Sequence, residues 1–177
     1  MVDVKVRNAA LCSAASSIIL NSEAAVFHEK RLKENADLLD PLVRERLEVA
    51  TFNSAVDYIK ALRLRTILME EMRRVFQTCD VLMLPAGNAA PKLNAEIAGT
   101  DAPSDPPLPP RPDSFNIANM TGIPAIVLPC GFTAGPPSLP LGIQFCAKPF
   151  DEATLFRIGH AYQMATDWHK RRAPLDG

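Results

Sequence analysis

Residues 113–150 constrain this chain more than any other stretch, because glycines and prolines punctuate two short apolar runs, 125–128 and 141–146, where strands would begin and end. The residue before a proline is pushed out of the helical region, so Gly122, Ile123 and Pro124 end whatever precedes them. Pro129 closes the first run. Residues 131–140 hold two glycines and three prolines, which predicts a wide connection between two strands rather than a two-residue hairpin turn.

The stretches on either side read mostly as helix. Residues 9–35 are helical in composition, with Ala24, Ala25, Phe27 and Leu32 facing a core and Glu29, Lys30, Arg31, Lys33 and Glu34 facing water. Asp40 followed by Pro41 is an N-cap with proline at the first helical position, and a short helix through Val49 is expected. Thr51 is then read as the cap of a long helix over 52–77, with Phe52, Ala55, Ile59, Leu62, Met69 and Phe76 on its apolar side. Its polar side carries a charge run in which Glu70 and Arg74 form an i,i+4 pair on a solvated face. Residues 80–84 predict a strand buried on both faces and ended by Pro85. Asp151 and Glu152 open a last helix, packed through Leu155, Ile158, Tyr162 and Ala165 and completed by Trp168.

Between that first strand and the punctuated stretch lies an irregular segment, about 85–112, that holds eight of the chain's 16 prolines. It is read as a long excursion from one fold, so that residues 1–177 form a single unit. The chain has 177 residues, 47% of them hydrophobic, enough for one core or for part of a larger one. A net charge of −1 and a pI near 6.3 carry no footprint for nucleic acid or an anionic membrane. The longest apolar stretches, such as 9–20, include serines and fall short of the roughly 20 apolar residues of a bilayer span, so no membrane crossing is expected. Cys12, Cys79, Cys130 and Cys146 lack metal-ligand spacing and read as small buried residues of a cytoplasmic protein.

A search for chemistry finds no nucleophile in a suitable setting. Ser16 and Ser17 lie in an alanine-rich helical segment without glycines to expose an oxygen or aim N–H groups at an oxyanion. No G-x-S-x-G, glycine-rich phosphate loop or Gly-Gly dipeptide occurs. His28, His160 and His169 sit on predicted helices beside polar neighbours, His169 in a last turn where the helix dipole suits it. Neither a metal site nor another cofactor is expected.

The residues do match a family. Asn119, Gly122, Pro124 and Ala125 come first, then Pro129-Cys130-Gly131-Phe132, Leu139-Pro140-Leu141-Gly142-Ile143-Gln144-Phe145 and Pro149-Phe150-Asp151-Glu152-Ala153. In that order they closely resemble the C-terminal part of amidase signature hydrolases. Glu23 and His28, the run YIKALRLR at 58–65, Asp80-Val81-Leu82 leading into Pro85, and Trp168-His169 agree as well, so the resemblance covers about residues 20–174. Two positions depart from it. The family usually has threonine where this chain has Ala86, and often an aromatic residue where it has Ala118; both bear on substrate identity.

What the resemblance implies is an α/β fold with a mixed sheet flanked by helices, the chain forming the C-terminal portion of the amidase signature fold. The implied activity is hydrolysis of a carbon–nitrogen bond in a small-molecule amide. The family's serine nucleophile, second serine on a cis peptide and lysine base belong to a glycine- and serine-rich region with no counterpart here. Catalytic residues are therefore expected outside this chain, and the chain alone is expected to be inactive. Pro85, Ala86, Asn119, Thr121, Gly122 and Pro124 are the substrate-binding candidates, forming one wall of a pocket. Asn119 has a structural alternative, holding the turn before Gly122 through side-chain to backbone bonds. Two other readings stand beside the first: a non-catalytic remnant that folds or binds a partner alone, and the amidase-like subunit of a tRNA-dependent amidotransferase. A partial fold would leave apolar surface and strand edges open, with self-association as one consequence.

Overall fold

The computed structural model describes residues 1–86, 116–134 and 139–172. Apart from Pro85 and Ala86, the proline-rich excursion lies outside the described residues, through residue 112. In chain order the helices and strands are α1 (Cys12–Phe27), α2 (Glu29–Glu34), α3 (Pro41–Ala50), α4 (Ala55–Val75), β1 (Val81–Pro85), α5 (Ile117–Thr121), β2 (Ala125–Phe132), β3 (Pro140–Ala147) and α6 (Glu152–Ala165). Single 3-10 turns precede α1, follow α2 and close the described chain at Trp168–Lys170.

Local chemistry explains several boundaries. Asp40 caps α3 by accepting from the backbone N–H groups of Leu42 and Val43, with Pro41 at the first helical position. Asp151 caps α6 by accepting from Thr154 N–H at 3.3 Å. The cap of α4 is Ser54, whose hydroxyl accepts from Asp57 N–H at 3.1 Å. Thr51, expected in that role, instead donates its hydroxyl to the Glu48 carbonyl at the end of α3. The first helix breaks at His28, and α6 stops at Ala165, so His169 lies in a separate 3-10 turn.

The described strands form one antiparallel sheet in the order β1-β3-β2. Along β1, Leu82 and Leu84 turn toward α1, α4 and α5, while Val81 turns toward α6. The larger core joins Cys12, Ala15 and Ile19 of α1, Ala61, Leu68 and Met72 of α4, Ile117 and Met120 of α5, and Cys146 of β3. The smaller one joins Leu128, Phe145 and Ala147 to Leu155 of α6. Gly159 lets α6 settle close to the sheet: a Cβ there would come within 3.3 Å of Ile126 Cδ1. This is an α/β arrangement with helices on both faces.

Several expectations need correction: Phe27, expected to face the core, is 80% exposed, and β1, expected to be buried on both faces, leaves Met83 50% exposed. The core face of α4 runs through Ala61, Leu68, Met72 and Val75, whereas Phe52, Ile59 and Met69 are exposed, because Phe52 precedes the helix and the other two lie off its packed stripe. β2 passes through Pro129 to Phe132, since a bulge between Pro129 and Gly131 restores pairing with β3. Finally, Ala9–Phe27 forms 19 helical residues of mean hydropathy 1.4, long and apolar enough by length and composition to cross a membrane. Its serines do not interrupt the helix, which is why a length taken from 9–20 falls short. The segment packs against α3, α4 and α5 through a narrow stripe that buries Cys12, Ala15, Ile19 and Ala25.

Candidate functional site

The turn from Asn119 to Pro124 is built by α5 and held from three directions. Met120 is 2% exposed and anchors the helix in the larger core beside Ile117. Gly122 sits at φ 71°, a left-handed helix cap that favours glycine, and its N–H donates to the Ala118 carbonyl at 2.8 Å. The buried Thr121 hydroxyl donates its proton to the Ile117 carbonyl at 2.6 Å, within the helix. From α4, Arg65 Nε donates to the Met120 carbonyl at 2.9 Å. Asn119 is exposed, and its side chain makes no hydrogen bond among the described residues. The bonds that shape the turn thus come from Thr121, Gly122 and Arg65.

Pro85 and Ala86 lie elsewhere on the sheet. Pro85 ends β1 opposite Ile143, and the Ala86 N–H donates to the Gly142 carbonyl at 3.1 Å. The Pro124 carbonyl, by contrast, accepts from Ala147 N–H at 3.2 Å on the other side of β3. The interval from Gly142 to Ala147 therefore separates the two patches, roughly 17 Å along the strand, with about 10 Å more across two strand spacings. The described residues bring Asn119, Thr121, Gly122 and Pro124 together and set Pro85 and Ala86 apart.

A cavity of about 830 Å³ opens beside the turn. Thr121 and Ile123 line it on one side, Met69, Met72 and Phe76 on another, and Lys148 and Pro149 close it near the end of β3. At its edge Glu70 takes two hydrogen bonds from Arg73, at 2.8 and 2.9 Å, and one from Arg74 at 3.3 Å. Chiefly the Arg73 hydrogen bonds hold the Glu70 carboxyl down to about 2. Lys148 faces Asp80 at 3.7 Å. The cavity is apolar with paired charges at its mouth. It suits an apolar group better than an ion.

Neither the two buried cysteines nor the serine pair of α1 stands in the setting of a nucleophile. Burial pushes the Cys12 thiol up to about 11 and also raises Cys146, which keeps both as thiols near neutral pH. Ser16 and Ser17 lie inside α1. No group of three or more His, Cys, Asp or Glu residues that could hold a metal occurs among the described residues.

Two features escape a reading of the sequence alone. Arg65 lies in the matched run 58–65, but its contact with Met120 spans 55 residues and no local pattern announces it. Glu23 and Tyr58, matched separately, meet through a hydrogen bond from the Tyr58 hydroxyl to Glu23 Oε1 at 3.0 Å, which raises the phenol.

Known proteins place this architecture. The Amidase family model matches residues 2–156. A glutamyl-tRNA(Gln) amidotransferase subunit of Chloroflexus aggregans is 37% identical over 142 residues, covering 76% of this chain and 27% of that protein. The putative amidase AmiD of Mycobacterium bovis is 35% identical over 166 residues, covering 86% of this chain and 32% of that one. A solved structure from a vestigial protein complex, described as revealing the origins of an s-triazine catabolic enzyme, superposes with a TM-score of 0.75 at 24% identity, over 92% of this chain and 35% of that one. A bacterial aryl acylamidase of the amidase signature family superposes with a TM-score of 0.70 at 19% identity, over 90% and 34%. The chain spans about a third or less of the length of each. Family match, relatives and fold agree: the chain belongs to the amidase family and has the fold of part of an amidase signature enzyme.

Proposed function

We propose that this chain is the C-terminal portion of an amidase that hydrolyses a carbon–nitrogen bond through a serine acyl-enzyme, with nucleophile and base outside the chain. The family match over residues 2–156 carries this reading. In such a reaction the serine oxygen attacks the amide carbon, the C–N bond breaks as the amine takes a proton, and water then cleaves the resulting ester to a carboxylate. No metal takes part.

The chain's own contribution is one wall of the substrate pocket. Asn119 offers an amide that can both donate and accept, on a turn whose backbone is preordered by Arg65, Thr121 and Gly122. Thr121, Gly122 and Pro124 shape that turn rather than bond the substrate, and Pro85 and Ala86 form a second, separate patch of wall. The substrate is a small-molecule amide, with neither nucleic acid nor membrane required. The four cysteines are free thiols, which supports a reducing compartment, and we assign the cytoplasm.

Purified alone, the 177-residue chain should show no turnover of aryl or alkyl amides. Turnover that follows the purified chain and is lost on a single substitution within it overturns the reading. A second reading is favoured by the 37% relative: the amidase-like subunit of a tRNA-dependent amidotransferase, in which another subunit would hold the RNA. A stand-alone, non-catalytic remnant would reveal itself as a monodisperse monomer with one cooperative melting transition, whereas an incomplete unit should self-associate through its exposed apolar surface.

A further inference from the structure

The cavity of about 830 Å³ beside α5 distributes its polar groups unevenly. Its depth is apolar, formed by the buried Met72, Phe76 and Ile123, with Met69 toward the opening. Sites for small molecules span roughly 300–1,000 Å³, cover most of the ligand with apolar walls and fix it through a few polar groups. The polar groups here decide what such a ligand must carry.

Two hydroxyls line the cavity, Thr66 on α4 and Thr121 on α5, and both have given their proton to their own helix. Thr66 Oγ1 donates to the Leu62 carbonyl at 3.3 Å and Thr121 Oγ1 to the Ile117 carbonyl at 2.6 Å. What remains on each oxygen is lone pairs, which can only accept. The two oxygens differ in their surroundings. Thr66 is exposed, so water supplies its donor. Thr121 is 6% exposed, and no donor among the described residues reaches its oxygen. An acceptor withdrawn from water in this way gains from any N–H or O–H that a ligand brings.

The charges at the mouth do not call for an ion. Glu70 is held by Arg73 and Arg74, and Lys148 faces Asp80 at 3.7 Å. An ionic head would have to displace one of these partners and shed its own water against apolar walls. Asn119, exposed on the same turn, takes no part in the lining. A molecule in the cavity therefore meets the turn through Thr121 and Ile123.

We infer that the cavity is a binding site for a small neutral molecule with an apolar, ring-sized body and one N–H or O–H donor, which it gives to the Thr121 oxygen. The body lies against Met69, Met72, Phe76 and Ile123. This goes beyond the amidase reading and does not depend on it, because the groups that select the ligand all belong to this chain.

The test titrates the full 177-residue chain with indole and with 1-methylindole, which share a ring system and differ in the donor. The methyl NMR signals of Met69, Met72 and Ile123 are followed. Indole should shift them saturably, and 1-methylindole should bind roughly 3-fold to 10-fold more weakly. Indole-3-carboxylate, which adds a charge, should bind at least about 10-fold more weakly than indole. Thr121→Val removes the accepting oxygen and keeps the shape of the side chain. It should bring indole down to the affinity of 1-methylindole and leave 1-methylindole within about 2-fold. Thr66→Val is the matched change at the wet hydroxyl and should leave both probes within about 2-fold. Because the two probes are also compared on the unsubstituted chain, a Thr121→Val variant that fails to fold still leaves a decisive measurement.

Absence of a saturable shift at these methyls overturns the inference. Equal binding of indole and 1-methylindole does so too, as does a carboxylate that binds as well as indole. A donor preference lost in Thr66→Val and kept in Thr121→Val would place the contact on the other hydroxyl, which also overturns it. If the three signals move when the chain alone is concentrated, and indole reverses that movement, a second copy fills the cavity and the small-molecule site falls. Amide turnover plays no part in these readouts, so a failed titration leaves the proposed reaction standing and an active 177-residue chain leaves the site standing.

Discussion

The two patches expected to form one pocket wall are held in opposite ways. The Asn119–Pro124 turn hangs from the core by Met120 and is tied by Arg65, Thr121 and Gly122, so its backbone is determined several times over. Pro85 and Ala86 rest on the end of a short outer strand by one backbone bond to Gly142 and a tight fit against that glycine. A rigid patch can position a polar group such as the Asn119 amide. A patch held by a single bond is free to be completed by whatever covers it.

The largest effect should come from the anchor of the rigid patch. Met120→Ala empties a site that is 2% exposed and should cost about 2–5 kcal/mol in urea unfolding, loosening the turn as it does so. A cost below about 1 kcal/mol would mean that the turn is not held from the core, and the contrast between the patches would fail.

Next comes Gly142→Ala. The added Cβ would lie 3.0 Å from Ala86 Cβ and 3.2 Å from Val127 Cγ1, so β1 or β2 has to shift, at a cost of roughly 1–3 kcal/mol. Chemical-shift changes should concentrate at Ala86 and Val127 and spare Gly122. Changes that spread to Gly122 would show the patches to be coupled after all.

The smallest effect is a matter of pH at the cavity mouth. Glu70 titrates lower when folded than its ordinary 4.5, near 2, so it contributes stability above that ordinary value and loses it as pH falls toward 2. The pair is exposed, which keeps the effect slight. Glu70→Gln should flatten the melting temperature over that acid interval, lying slightly below the unsubstituted chain at neutral pH and converging with it as pH falls toward 2. An equal slope in both proteins would remove Glu70 from the account.

Legibility in the sequence depends on distance along the chain. The caps of α3 and α6 are legible because Asp40 and Asp151 reach backbone groups only two or three residues away. The Glu70–Arg74 pair is legible for the same reason. The punctuation over 113–150 locates both strands of the β2–β3 pair, but not the passage of β2 through Pro129, which depends on a bulge opposite β3. The phase of α4 is misread from sequence because Met69 and Met72 are equally apolar, and only the position of α1 and α5 decides which is covered.

For the site, the family-matched residues point to the right turn but cannot say what each does there. Thr121 faces its own helix, Asn119 faces outward and Arg65 reaches the Met120 carbonyl, distinctions that rest on contacts between segments far apart in sequence. Family, element types and most helix starts follow from short-range chemistry and motif order, so the amino-acid chain alone carries them. Which face is buried, which strand edge stays open and how far Pro85 lies from Gly122 follow from long-range packing. Such contacts are weak one at a time and are selected only when the helices close together over the sheet.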